Sequence, residues 1–167
     1  MVILETARLR LRPMTTSDVD LWVTLHGDER VNQFVGAYAE EAALAVLQRI
    51  ERQWLERGHG LFAIESRESG RFLGRCGLVY SERSAEVDLG WTLRAEAWGH
   101  GYATEAARAV AEWGFGALDV PYFTATIHPG NAASVHVAER LGFTASRADV
   151  LHGEPVTIYV LNRLTST

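Results

Sequence analysis

The sequence predicts an α+β, mixed α/β fold: one domain over residues 1–167, built on a central, twisted, mostly antiparallel sheet flanked by helices. Three observations carry this prediction. Short apolar runs separated by turn residues fill the middle of the chain, helical periodicity brackets them on both sides, and one helical stretch lies between two strand patterns, as a crossover between parallel neighbours requires. A chain of 167 residues with 47% apolar content and five tryptophans holds one sizeable core, not two.

The elements follow in order. Leu9, Leu11 and Pro13 alternate with Arg8, Arg10 and Arg12, the period of a half-exposed strand. "TTSDVDLWVTLHGD" reads as a helix capped by Thr16 or Ser17, with acids in its first turn and Gly27 at its end. Residues 39–58 carry Ala43, Leu44, Leu47, Ile50, Trp54 and Leu55 at helical spacing, and Gly58 and Gly60 stop them. "LFAIES", "FLGRCGLVY" and "AEVDLGWTL" form an antiparallel meander, separated by Glu68-Ser69-Gly70 and by residues 81–84. Helix over 101–117, strand "YFTATIH", helix over 131–140 and two closing strands, "FTASRADV" and "VTIYVLNR", complete the chain. Trp22, Phe34, Tyr38 and Trp54 are expected in the core, and Trp91 and Trp113 as packing anchors.

Composition sets the limits on function. A formal charge of −5 leaves no electrostatic footprint for nucleic acid. The longest uncharged run, 120–138, is broken by Pro121, His128, Pro129, Gly130 and Asn131, so no membrane partner is expected. Glu5 and Arg8 precede any apolar stretch, so no signal peptide is expected, and the lone Cys76 excludes an internal disulfide; cytoplasmic residence is the default. The six histidines show no metal spacing, and no metal is expected.

Chemistry concentrates in three stretches. "WGHGYATEA" runs from Trp98 through two glycines straight into a helix. A helix start leaves N–H groups unpartnered and carries partial positive charge, so an anion can serve as its cap, and Gly99 and Gly101 let the backbone approach it. A phosphate or pyrophosphate held by the amides of Gly99, His100, Gly101, Tyr102, Ala103 and Thr104 is one reading; a tight strand-to-helix turn is the other. A dinucleotide fold fits poorly, because Thr104 stands where a third small residue belongs and Asp119 precedes its strand.

In "AEVDLGWTL", Glu86, Asp88, Gly90 and Thr92 share one face, with the two carboxylates about 7 Å apart by strand rise. Either carboxylate, its proton affinity raised, would suit a general base, and plain solvation is the bland alternative. Gly90 marks a bulge or a splayed edge. In "IHPGNAASVHVAERLGF", Asn131 can cap a helix with Ser134 in its first turn, and Gly142 follows its end. A hydroxyl at such a helix start could also protonate a departing thiolate.

Together, "VDLGWTL", "WGHGYATEA" and "NAASVHVAERLGF" resemble the GNAT superfamily of acetyl-CoA-dependent N-acetyltransferases. "TARLRLRPMTTSDVD" and "FAIESRESGRFLGRCGL" resemble its ribosomal-protein N-terminal, RimJ/RimL-type branch. The resemblance implies a sheet splayed at a central strand pair and an enzyme that moves acetyl from acetyl-CoA to a primary amine by direct attack in a ternary complex. It places the pyrophosphate on residues 99–104 beside Trp98, the pantetheine arm against backbone of Trp91 and Leu93, and a hydrogen bond to the arm at Asn131. It makes Asp88 the first choice of base and Glu86 the second, Ser134 the acid, and an N–H near Leu93 the carbonyl's partner. An amine acceptor and a homodimer are the implied partners. The tyrosine common in the superfamily seven residues after the asparagine is Ala138 here, which keeps a non-catalytic acyl-CoA binding or sensing module as the alternative.

Overall fold

The computed structural model describes residues 1–164. Eight strands form one sheet: β1 (Leu4–Glu5), β2 (Leu9–Pro13), β3 (Leu61–Ser66), β4 (Phe72–Ser81), β5 (Glu86–Leu93), β6 (Tyr122–Ile127), β7 (Thr144–Leu151) and β8 (Glu154–Asn162), in the order β1-β2-β3-β4-β5-β6-β8-β7. The helices are α1 (Val19–Gly27), α2 (Glu29–Asn32), α3 (Glu40–Arg57), α4 (Tyr102–Ala117) and α5 (Ala132–Leu141). The expected meander is present, with β3, β4 and β5 paired antiparallel in sequence, and β2 adds antiparallel to β3 from across the N-terminal helices. Helix α4 is the expected crossover, joining β5 to its parallel neighbour β6.

Alternation sorts the side chains between the two faces. Leu9, Leu11, Phe62, Ile64, Val87, Leu89, Phe123 and Ala125 pack against Ala106, Ala107 and Val110 of α4 and Ala138 of α5. On the other face Leu61, Ala63 and Phe72 pack against Trp22 and Leu25 of α1 and Ala43, Leu47 and Ile50 of α3. Helices α1 and α3 cover the β2 to β4 side of that second face. Over β5 it is barer: Val79, directly opposite Asp88, is 38% exposed.

The start of α1 differs from expectation. Thr15, not Thr16 or Ser17, takes the cap: its hydroxyl accepts from Ser17 N, and a capping box with Asp18 closes a 3-10 turn before the helix begins at Val19. Asp18 is also held by Arg12 at 2.8 Å, so the box is anchored to β2. Phe34, expected in the core, lies at the surface between α2 and α3, its ring 5.1 Å from that of His128. Trp91 packs edge-on to Phe143, and Trp113 to Phe62, as anchors do.

Candidate active site

Strands β5 and β6 run parallel but share one register pair, Asp88↔Thr124, and do not pair beyond it. Arg94 N donates to Leu73 O, so the even-numbered residues of β5 turn their backbone groups toward β4. By the same alternation the N–H and C=O groups of Trp91 and Leu93 face the gap on the β6 side. Leu93 O accepts there from the indole Nε1 of Trp98 at 3.1 Å, and Trp98 is otherwise half-exposed. Gly90 causes no bulge toward β4, where the ladder runs unbroken through Gly77↔Gly90.

Helix α4 follows β5 and helix α5 follows β6, so both begin beyond the same end of this parallel pair. Helix α4 has Gly101 as its N-cap and no side-chain cap, and Gly99 and Gly101 both have φ of 78°, a left-handed backbone that favours glycine. None of the N–H groups from Gly99 to Thr104 has a hydrogen-bond partner among the described residues. The Oγ1 of Thr104 is buried and equally without a partner. Side chains around this helix start carry mixed charge: a cavity of about 580 Å³ beside it is lined by Arg108 and Arg140 but also by Glu5, Glu105 and Glu112. Arg8 lies close to Gly101, yet Glu105 pairs with it at 2.8 Å. The positive potential at this turn is therefore that of the backbone. Helix α5 is closed differently, with Asn131 Oδ1 accepting from Ser134 N at 3.2 Å. Ala138, where the superfamily often has tyrosine, is fully buried in the core.

The two carboxylates of β5 share a face and differ in state. Glu86 accepts from Tyr122 Oη at 2.8 Å and from Arg147 Nη2 at 2.6 Å. Burial acts to raise its pKa, but the bonds from Arg147 and Tyr122 outweigh it and hold the carboxyl below its usual range. Asp88 has no cation. Its Oδ1 accepts from Thr124 Oγ1 at 2.9 Å and Thr126 Oγ1 at 3.0 Å. Burial pushes Asp88 up to about 6, against the opposing pull of those hydroxyls. A carboxylate with that proton affinity, beside a gap, can take a proton near neutral pH. Tyr122, Thr124 and Thr126 were not singled out in the sequence, although their alternation in "YFTATIH" puts them on one face of β6.

The pattern that defines the Acetyltransferase (GNAT) domain matches residues 8–144. The chain belongs to the GNAT acetyltransferase family and is an acyltransferase. Protein YkkB of Bacillus subtilis (strain 168) is 33% identical, over 93% of each chain. An acetyltransferase from Agrobacterium tumefaciens str. C58 superposes with a TM-score of 0.87 at 31% identity, covering 98% of this chain and 95% of that one. RimL, a ribosomal L7/L12 α-N-protein acetyltransferase in complex with coenzyme A, shares the fold at a TM-score of 0.81 and 19% identity, covering 96% of this chain and 98% of its own.

The family uses acetyl-CoA, and the start of α4 fits a diphosphate: unpartnered amides, a buried unpartnered hydroxyl, and no side chain at positions 99 and 101 to block approach. No group of three or more His, Cys, Asp or Glu residues placed to hold a metal occurs among the described residues. No helix among them is long and apolar enough to cross a membrane.

Proposed function

We propose that this GNAT enzyme transfers acetyl from acetyl-CoA to a primary amine, a protein N-terminus or a small amine, by direct attack in a ternary complex. The observation that carries this reading is the run of unpartnered amides from Gly99 to Thr104 beside a parallel strand pair that stops at Asp88↔Thr124. The amides of residues 99–104 bind the diphosphate of acetyl-CoA, helped by Thr104 Oγ1. The outward backbone groups of Trp91 and Leu93 pair with the pantetheine arm as a further strand would, and the indole of Trp98 keeps the end of β5 ordered beside it. Asn131, whose Oδ1 caps α5, has its amide NH₂ to offer the arm.

Asp88 accepts the proton of the incoming amine, directly or through water. The amine nitrogen then forms its bond to the acetyl carbon, with the carbonyl oxygen at a backbone N–H near Leu93, the C–S bond breaks, and the thiolate takes a proton from Ser134 or from water. Glu86 is poorly suited to act as base because Arg147 and Tyr122 already stabilise its charge. Most of the rate comes from positioning. Thiol release from acetyl-CoA with a panel of amines, alongside calorimetry with CoA and with NAD, tests the reading. CoA binding with amine-dependent thiol release is expected; affinity for NAD alone contradicts it.

A further inference from the structure

Arg75 of β4 is a cation without an anion. Its Nε and Nη2 reach His26 Nε2 at 3.3 and 3.1 Å, and its guanidinium lies 4.7 Å from the centroid of the Trp22 ring. No carboxylate pairs with it among the described residues, whereas the other arginines of the strands, Arg10, Arg12 and Arg147, each find one. His26 supplies no charge: burial and the facing guanidinium push it down to about 4, and its Nδ1 is taken by Trp22 O. Burial lowers Arg75 to about 10, so it stays cationic at neutral pH. A half-buried charge held by a neutral imidazole and an aromatic face, with no carboxylate, is costly to the fold unless something else neutralises it. One further donor nearby is unspent, since Trp22 Nε1 is buried without a partner.

Arg75 stands in a fixed register to Asp88. Arg75 pairs with Thr92, Gly77 with Gly90 and Val79 with Asp88, so these three alternate rungs of β4 and β5 present their side chains on one face. The middle rung carries no side chains; a Cβ at Gly90 would meet nothing within 4 Å, whereas one at Gly77 would meet the backbone of Gly60 and Leu61, so the open space lies over Gly90. The outer rungs are about 13 Å apart by strand rise. On the β5 side an open strip over Gly90 thus separates Asp88 from the rung of Arg75, whose guanidinium lies under Trp22 and His26 of α1.

We propose that the acceptor is an amine that also carries a carboxylate, which Arg75 binds through its planar fork while the chain of the acceptor crosses Gly90 and presents its nitrogen to Asp88. This rests on the transferase reading above and names the substrate class of that same site. Arg75 is on this account a specificity residue, and His26 positions it.

The test uses matched acceptors: ω-amino acids of about six to ten carbons, and short peptides with a free C-terminus, each against its carboxamide. With acetyl-CoA and the whole protein, the carboxylate member of each pair is expected to show kcat/KM about 10- to 100-fold higher, the effect lying in KM. In Arg75→Gln that ratio falls to near one, and Arg75→Lys restores part of it. Gly90→Leu, at a position with ordinary backbone and open space, raises KM for both members while leaving acetyl-CoA affinity by calorimetry in the wild-type range. Equal kcat/KM within pairs for the wild type, a preference that survives Arg75→Gln, or turnover of neither member by protein that binds acetyl-CoA overturns the proposal. Failure of acetyl-CoA to bind overturns instead the transferase reading beneath it. Loss of stability without change in the ratio would mark Arg75 as structural only and also overturn the assignment.

Discussion

Two helices begin at the same gap, and they begin differently. Helix α5 closes its first turn from within, with Asn131 Oδ1 on Ser134 N, whereas α4 starts at Gly101 with its amides facing outward and no side chain to meet them. The same contrast recurs on β5, where Glu86 is satisfied by Arg147 and Tyr122 and Asp88 is left with two threonine hydroxyls and no cation. Polar groups that the fold satisfies internally hold it together. Those it leaves open, at a place where the sheet also opens, are free to meet a ligand.

The carboxylates offer the largest effect with which to break this contrast. Asp88→Asn is expected to lower kcat/KM about 10²- to 10⁴-fold, as loss of a general base does, while Glu86→Gln lowers it tenfold or less. In the wild type, kcat/KM should rise with pH through an apparent pKa near 6, the value to which burial lifts Asp88, and that limb should vanish in Asp88→Asn. Comparable losses in the two variants would erase the distinction between them.

The helix starts come next. Gly101→Val forces a β-branched side chain into a left-handed conformation, and CoA affinity should fall about 100-fold by calorimetry while circular dichroism reports a folded protein. Asn131→Ala should instead cost about 1 kcal/mol of stability in denaturant unfolding, with tenfold or less in CoA affinity.

A smaller effect sharpens the account of Asp88. The folded protein holds this proton more tightly than the unfolded chain, with a pKa of about 6 against an ordinary 3.8. Asp88 therefore favours folding most below about pH 4, and that contribution is lost as pH rises through 6. Asp88→Asn, with no proton to lose, should be more stable than wild type at pH 8 by on the order of 1–3 kcal/mol, the gap closing toward pH 4. Smallest of all, Ser134→Ala should lower kcat less than about tenfold, because water can protonate a thiolate.

Much of the architecture was legible in the sequence because long elements write their period plainly. The meander, the two long helices and the crossover follow from alternation and helical spacing in runs such as "LFAIES" and residues 39–58. Strand β1, with two residues, and α2, with four, are too short to show a period. Phe34 looked like core because aromatics usually are, but it sits on a connection and meets His128 from another one. The anion turn was legible because its glycines lie close together in sequence. The choice between Glu86 and Asp88 was not, since it depends on Arg147, 61 residues away, and on Thr124 and Thr126, 36 and 38 residues away. Arg75 gave no local signal either, as its isolation appears only once His26 and Trp22 are brought over β4.

Backbone amide resonances followed by NMR during titration with CoA test the central claim most directly. The amides of residues 99–104 should shift further than any others, with Gly99 and Gly101 resolved as glycine signals, and those of α5 should move less. Saturable binding that leaves these six resonances in place while others move would contradict it.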